Sequence, residues 1–272
     1  MAQPKLALIP ATQGSKVFSV LPADGVGDFD FSRNSAATRI NKDGLIETVA
    51  SGVSRLNYPL IDGVVNGCPS HLLEPQRTNL ITYSEDFSNA AWGLTNSTIA
   101  PNQSISPDGS LNADKLTDNI NNGQHRISDN FPATSGQEYT ISSFVKYVSG
   151  SDINKVYLLT ATNTPTTRAF FDIENGIALS GGGIIENYGN GWYRVSSTVT
   201  ASGTGNILFG INLTDADGSA TYTGTGNGEI YIYGAQAEQS SYPTSYIPTT
   251  TSAVTRSADT ANGAGDASTF ND

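Results

Sequence analysis

Between residues 80 and 249 the chain runs as short apolar stretches separated by glycine- and asparagine-rich breaks. Tyr139–Val148 alternates, with Tyr139, Ile141, Ser143, Val145 and Tyr147 on one side. That period of two marks a strand with one covered face. Lys155–Ala161, Arg168–Ile173, Trp192–Thr200, Asn206–Leu213 and Glu229–Glu238 follow in the same manner. The breaks are Glu174-Asn175-Gly176, Gly181-Gly182-Gly183, Gly189-Asn190-Gly191 and Gly224–Gly228. Regular short strands punctuated by turns predict an all-β sandwich or barrel rather than an α/β fold. One helical candidate interrupts the pattern, a turn or two over Ser84–Trp92. There Ser84 is placed to cap, with Glu85 and Asp86 in the first turn.

The flanking regions have a different texture. Residues 1–79 carry apolar pieces at Lys16–Leu21, Asp28–Phe31, Gly44–Val49 and Gly63–Val65, too few for a core of their own, so this region is expected to pack on something else. Asn41-Lys42-Asp43-Gly44 is a turn signal that predicts a hairpin between Arg39-Ile40 and Leu45-Ile46. Residues 250–272 are almost wholly polar and read as a linker, a disordered end or an arm on a neighbour. The pentapeptides Ser35-Ala36-Ala37-Thr38-Arg39 and Ser252-Ala253-Val254-Thr255-Arg256 echo each other across the sandwich region. The echo is either chance or two strands of one small sheet, with each arginine meeting a carboxylate.

Composition narrows the function. Only 14% of the residues are charged, and the net charge is −11 with 14 Lys and Arg against 25 Asp and Glu. A nucleic-acid partner needs a basic footprint, which is missing. No apolar run reaches the length of a membrane span, and no Lys/Arg run suits an anionic membrane surface. With Cys68 the sole cysteine, no intrachain disulfide forms, and stability must come from packing, assembly or both. The first ten residues are too short and too proline-broken in their apolar part for a signal peptide.

Two stretches carry a family resemblance. The first spans Asp28-Phe29-Asp30-Phe31-Ser32-Arg33-Asn34-Ser35 through Glu47, then Leu72-Leu73-Glu74-Pro75-Gln76-Arg77-Thr78-Asn79-Leu80 and Tyr83-Ser84-Glu85-Asp86-Phe87. The second is Tyr233-Gly234-Ala235-Gln236-Ala237-Glu238, Ser241-Tyr242-Pro243-Thr244-Ser245-Tyr246-Ile247-Pro248-Thr249 and Val254-Thr255-Arg256-Ser257-Ala258-Asp259. Together they resemble a widespread family of phage and prophage fibre-type structural proteins. The region between is similar to carbohydrate-binding-module jelly rolls, notably at Gly191-Trp192-Tyr193-Arg194-Val195. The resemblance implies a jelly-roll β-sandwich over 80–249 with extended N- and C-terminal arms. It also implies a non-enzymatic structural subunit of a virion fibre, on tail or head. Such a subunit is made in the host cytoplasm, released by lysis, and assembled with other virion proteins as a homotrimer. Relatives often continue into a lectin-like domain, so a host-binding role resting on that domain is not carried over. Such jelly rolls often hold a calcium beside an acidic residue of the last strand; here that strand reads Glu229-Ile230-Tyr231-Ile232-Tyr233-Gly234, and no calcium is expected.

A second reading is a module binding host-envelope glycan, and a third is a depolymerase. Trp92, Tyr188, Trp192, Tyr193 and Tyr222 are the candidate sugar platform, since sugar C–H faces pack on aromatic rings. The competing reading of the two tryptophans is core. No catalytic residue is selected: glycosidase chemistry needs a spaced carboxylate pair, and nothing singles one out. No cofactor or metal is expected. Cys68-x-x-His71 has no second pair to complete a zinc site and reads as an inert buried or interface thiol. Asp215-Ala216-Asp217-Gly218 fails the EF-hand pattern at Ala220 and Gly226 and reads as a turn. Glu74 and Arg77 are candidates for a buried charge-assisted pair, with Arg39 and Arg256 as further structural positions.

Overall fold

The computed structural model describes the backbone of residues 8–13, 16–19, 29–215 and 217–262, and side chains between 31 and 261. The described strands of the sandwich are β1 (Gly93–Thr95), β2 (Ser97–Ile105), β3 (Leu111–Asp118), β4 (His125–Ala133), β5 (Glu138–Tyr147), β6 (Lys155–Ala161), β7 (Thr167–Asp172), β8 (Ile177–Ser180), β9 (Ile184–Gly189), β10 (Trp192–Thr200), β11 (Gly205–Leu213) and β12 (Glu229–Glu238). They form two six-stranded sheets, in the orders β1-β4-β11-β6-β7-β8 and β2-β3-β12-β5-β10-β9. Every pairing within them is antiparallel. This is a jelly-roll β-sandwich.

Alternation built it. Ile127, Phe131, Phe209 and Ile211 project from the first sheet, and Ile141, Val145, Val195, Ile230 and Ile232 from the second, all inaccessible to solvent in one core. Full burial of each such side chain contributes about 1.5–3 kcal/mol relative to exposure. Tyr139 and Tyr147 join the same core, as the period-two pattern predicts.

The second sheet is covered on its other face as well. Residues of the N-terminal region and of the 240s lie across it and close a smaller core of Ile46, Ala113, Phe144, Trp192, Tyr233 and Tyr246. Strand β5 is therefore buried at consecutive positions, Tyr139 to Val145, rather than at every second one. The expectation that the N-terminal region packs on something else holds for its described part, and the partner is this sandwich. The Lys16–Leu21 piece lies partly outside the described residues. The predicted hairpin is present: Ala37–Ile40 pairs with Ile46–Val49, with Arg39 opposite Glu47. Gly44 closes its turn at a φ of 80°, a left-handed value that glycine adopts without a Cβ clash.

Residues 250–262 lie on their own chain. Val254–Arg256 pairs with Arg77–Asn79, and Thr260–Asn262 pairs with Phe29–Ser32. The two echoed pentapeptides thus join different sheets rather than sharing one. Each arginine nevertheless meets a carboxylate, Arg39 with Glu47 at 2.9 Å and Arg256 with Glu74 at 2.8 Å. Residues 263–272 lie outside the described residues.

A buried ion network locks these ends together. Glu74 accepts from Arg55 at 2.9 Å and from Arg256; Asp259 accepts from Arg33 at 3.0 Å and from Arg55. Burial alone would raise the Glu74 carboxyl, but Arg256, the Ser245 hydroxyl and Arg55 outweigh it and hold it below its ordinary range. The expected Glu74–Arg77 pair does not form. Glu74 turns inward to Arg55 and Arg256, while Arg77 donates to the Gln76 carbonyl and sits 6.0 Å from the Tyr242 ring centre.

No helix occurs among the described residues, so the Ser84–Trp92 candidate is corrected to a series of turns. Ser84 is not a cap. Its hydroxyl is shared with Tyr246 Oη at 2.7 Å and accepts the Thr249 N–H at 2.8 Å, which ties this segment to the 240s instead.

Candidate functional site

The site grows from a hairpin and a hairpin-like turn that touch. Gly189-Asn190-Gly191 connects β9 to β10 with φ values of 79°, 53° and 79°, a tight left-handed turn that glycine and asparagine tolerate. It leaves Tyr188 and Tyr193 at the sheet edge. In the N-terminal region, Leu60–Ile61 pairs with Val64–Val65 around Asp62-Gly63. Gly63 sits directly on Gly189: a Cβ on Gly63 would fall 2.6 Å from the Gly189 nitrogen, and one on Gly189 2.3 Å from the Gly63 oxygen. Only two glycines allow that backbone approach.

The contact encloses a cleft of about 570 Å³ between the N-terminal region and the sandwich edge. Tyr58, Tyr188 and Tyr193 line it, with Asn57, Asp62, Asn175, Glu186 and Asn187 among them. Tyr188 is held edge-on against Phe144, ring centres 4.9 Å apart at 81°. Burial raises the Tyr188 hydroxyl above its ordinary value, so it stays a neutral donor. Gly176 gives Tyr193 its place, because a Cβ there would fall 2.5 Å from the Tyr193 ring. Asn57 and Asn187 each commit Oδ1 to a backbone N–H, of Ile40 at 2.8 Å and of Gly189 at 2.9 Å. That fixes the two amides and leaves their NH2 groups as donors. Asp62 and Glu186 are exposed acceptors at the mouth. Aromatic rings beside planar donors and acceptors match the alternating C–H faces and hydroxyl rims of a pyranose.

Solved structures with a similar outline include three of note. One is the N-terminal CBM22-1–GH10 portion of xylanase 10B from Clostridium thermocellum with xylohexaose: TM-score 0.39, 13% identity, 64% of this chain and 30% of that one. Another is the carbohydrate-binding module TmCBM61 with β-1,4-galactotriose: TM-score 0.39, 9% identity, 60% and 99%. The third is the enzymatically active domain of tailspike protein 4 of bacteriophage CBA120: TM-score 0.38, 12% identity, 58% and 21%. The chain therefore spans less than a third of the xylanase and of the tailspike. A likeness of this grade says nothing about a ligand. No protein-family model matches the chain, and no curated protein matches it in sequence.

Of the five aromatic residues proposed from sequence as a sugar platform, the structure brings Tyr188 and Tyr193 together and sets the other three apart. Trp92 is packed against Phe87 and Phe209 with its indole N–H on the Tyr83 carbonyl at 3.1 Å. Trp192 is 1% exposed, its N–H on the Ile105 carbonyl at 3.0 Å. It faces away from the main core, as its position beside Tyr193 requires, but the N-terminal region covers that face. Tyr222 stacks on His125 at 4.4 Å and donates to Asp118. All three are core members; of the five, only Tyr188 and Tyr193 line the cleft, and Tyr58 joins them there. Tyr58 and Asn57 escaped the sequence reading because nothing local shows that residues 57–63 fold back onto β9; the Asp62-Gly63 turn is the one available signal.

The remaining candidates are structural or inert. Cys68 is exposed rather than buried. His71 Nδ1 bonds Ser54 Oγ at 2.9 Å, and no cluster of three metal-binding side chains exists among the described residues. Asp215 accepts the Gly218 and Ser219 N–H groups in a turn. Asp118 occupies its carboxylate with the N–H groups of Thr225, Gly226 and Gly228.

Proposed function

We propose that this protein is a non-enzymatic glycan-binding module whose site is the cleft of Tyr58, Tyr188 and Tyr193. The observation that carries the reading is the grouping of three tyrosines with fixed amides and two carboxylates in one open cleft. The test is calorimetry with a panel of bacterial envelope oligosaccharides against the parent and Tyr58→Ala and Tyr193→Ala variants. The expected loss is roughly three- to tenfold per ring, from stacking worth about 0.5–1.5 kcal/mol. Saccharide binding that both variants retain in full, or no binding by the parent, refutes the reading. Release of shorter oligosaccharides from the panel would make the protein a depolymerase instead.

A second reading concerns the setting of this module, a bacteriophage fibre or appendage subunit that assembles as a homotrimer with other virion proteins and is released by host lysis. One observation favours an assembled state. β8 and β9 end their sheets on the same side of the sandwich, and Ile177, Leu179 and Ile184 on them are 51%, 46% and 57% exposed. Unpaired, apolar edges of this kind are normally covered or charged. The trimer number and the virion setting come from the sequence resemblance. Native mass spectrometry of the isolated chain tests the assembly: a stable monomer at micromolar concentration, unchanged by Ile184→Lys, overturns it.

A further inference from the structure

A second cleft lies toward the other end of the sandwich. It encloses about 720 Å³, within the range of small-molecule sites, between the segment that enters the sandwich, the β4–β5 and β10–β11 connections and the end of β12. Its distance from the tyrosine cleft follows from register. Tyr139, which lines it, pairs with Val199, whereas Val145 pairs with Tyr193 of the first cleft. Six residues along β5 separate the two pairs, about 20 Å at the rise of an extended strand. The two clefts share no described lining residue.

The lining divides by chemistry. Leu80, Ala133 and Tyr139 belong to the sandwich core or pack against it, and give the cleft an apolar patch with Pro132 exposed beside them. Around it stand amides. Gln239 commits Nε2 to Gln137 at 3.0 Å, which leaves its Oε1 as an acceptor. The side chains of Gln76 and Asn206 are exposed and have no partner among the described residues.

Arg77 is the only charged side chain among the described lining residues. Its Nη1 donates to the Gln76 carbonyl at 2.9 Å, and its Nε is buried without an acceptor. Nη2 has no acceptor among the described residues and is not buried, so it is the donor open to a ligand. The guanidinium lies 6.0 Å from the centre of the Tyr242 ring, itself 49% exposed. Among the described residues no carboxylate lies within 4 Å of it. The acidic residues nearest the lining in sequence are turned elsewhere. Glu74 meets Arg55 and Arg256, and Glu238 accepts the Thr244 N–H. Glu138 projects from the face of β5 opposite to Tyr139. In a chain of net charge −11, a cleft lined by one cation and no carboxylate reverses the local field and favours an anion.

We infer that this second cleft binds an acidic sugar residue, a uronic acid, with its carboxylate on Arg77 Nη2. One charge-assisted hydrogen bond holds the anion. Leu80, Pro132 and Ala133 meet the C–H face of the ring, and the three amides exchange hydrogen bonds with its hydroxyls. A bare inorganic ion would use Arg77 alone and leave most of the volume to water. The site goes beyond the tyrosine cleft and does not depend on it.

The experiment titrates isotopically labelled protein with D-glucuronate, D-glucose and acetate at matched ionic strength. It follows the side-chain amides of Gln76, Asn206 and Gln239 and the rings of Tyr58, Tyr188 and Tyr193. Glucuronate is expected to displace the three amides saturably. Glucose is expected to do so about tenfold more weakly, the factor of one charge-assisted bond, and acetate more weakly than glucuronate. The Arg77 side chain makes one hydrogen bond, to the neighbouring carbonyl, so Arg77→Gln is expected to keep the parent unfolding midpoint and to bring glucuronate down to the affinity of glucose. Amides that stay still with all three ligands overturn the inference; shifts confined to the tyrosines do so while leaving the first cleft standing. A preference for glucuronate that Arg77→Gln retains in full also overturns it. Acetate as effective as glucuronate would show an adventitious anion site only, and the assignment to a sugar would fall.

Discussion

Arg33 and Asp259, 226 residues apart in the chain, meet at 3.0 Å with both side chains fully shielded from solvent. Arg33 further donates to the backbone carbonyls of Ser35, Ala50 and Val53. Asp259 also takes Arg55 and the Glu74 N–H. The carboxylate is thus the point at which the N-terminal region, the entry to the sandwich and the C-terminal segment are joined. Asp259→Ala leaves two buried guanidinium groups with too few anions. Breaking a buried pair from one side costs about 3–5 kcal/mol, and a loss of that size in urea unfolding is expected. Arg33→Met alone should cost a comparable amount, and the double variant less than the sum of the two. Strict additivity would show that the groups do not interact.

Stability should respond to pH on both sides through two different glutamates. Glu74 is held below its ordinary range despite burial, so its contribution is present above the unfolded value and lost as pH falls through the folded one. Glu85 is raised, first by burial. Its folded form prefers the proton, so its contribution is present at low pH and declines as pH rises from the unfolded value through the folded one. Geometry supports this: Tyr233 Oη lies 2.9 Å from Glu85 and 3.0 Å from Asp108, and one O–H donates to only one of them. A proton on Glu85 satisfies the third partner. Glu85→Gln is therefore expected to flatten the decline in stability that begins above the ordinary glutamate value and to leave the loss at lower pH intact. An unchanged decline rules out this assignment.

Much of the sandwich was legible because its strands are amphipathic in the simplest way. Tyr139, Ile141 and Val145 point to one core, and turns such as Gly189-Asn190-Gly191 announce themselves. What hid was everything that depends on the second covering layer. Trp192 and Tyr193 are neighbours on opposite faces, and local sequence offers one of them to solvent. In the fold neither face is bare, because Ile46 and Tyr246 arrive from distant positions to build the small core in which the indole is buried. The polar texture of residues 250–262 misled for the same reason. Arg256 and Asp259 are ordered by partners at Glu74, Arg55 and Arg33, which no window of sequence contains.

That burial fixes what tryptophan substitution does. Trp192→Ala removes a side chain 1% exposed from the small core it shares with Ile46, Phe144 and Tyr246, and large aromatic deletions in such cores cost about 3–5 kcal/mol. Urea unfolding should show this loss. The ligand affinity of the fraction that remains folded should fall far less than in Tyr193→Ala. A fully stable Trp192→Ala protein that no longer binds sugar would return the indole to the surface platform.

The cleft itself depends on one backbone contact, which provides a substitution that touches no ligand. Gly63 has a φ of 77°, in the region where side chains are strained, and a Cβ there would press on the Gly189 nitrogen and the Asn187 Oδ1. Both are parts of the β9–β10 hairpin that carries Tyr188 and Tyr193. Gly63→Ala must move the Leu60–Val65 hairpin away from β9, since neither backbone has slack in that direction. Tyr58 and Asp62 would move with it and the cleft would open. The sandwich core, which contains no part of this hairpin, should keep most of its stability, with a loss near 1–3 kcal/mol from strain at one residue. Saccharide affinity should fall as much as in Tyr58→Ala. Equal affinity in Gly63→Ala and parent would mean that the N-terminal region contributes nothing to binding and that the sandwich edge alone holds the sugar.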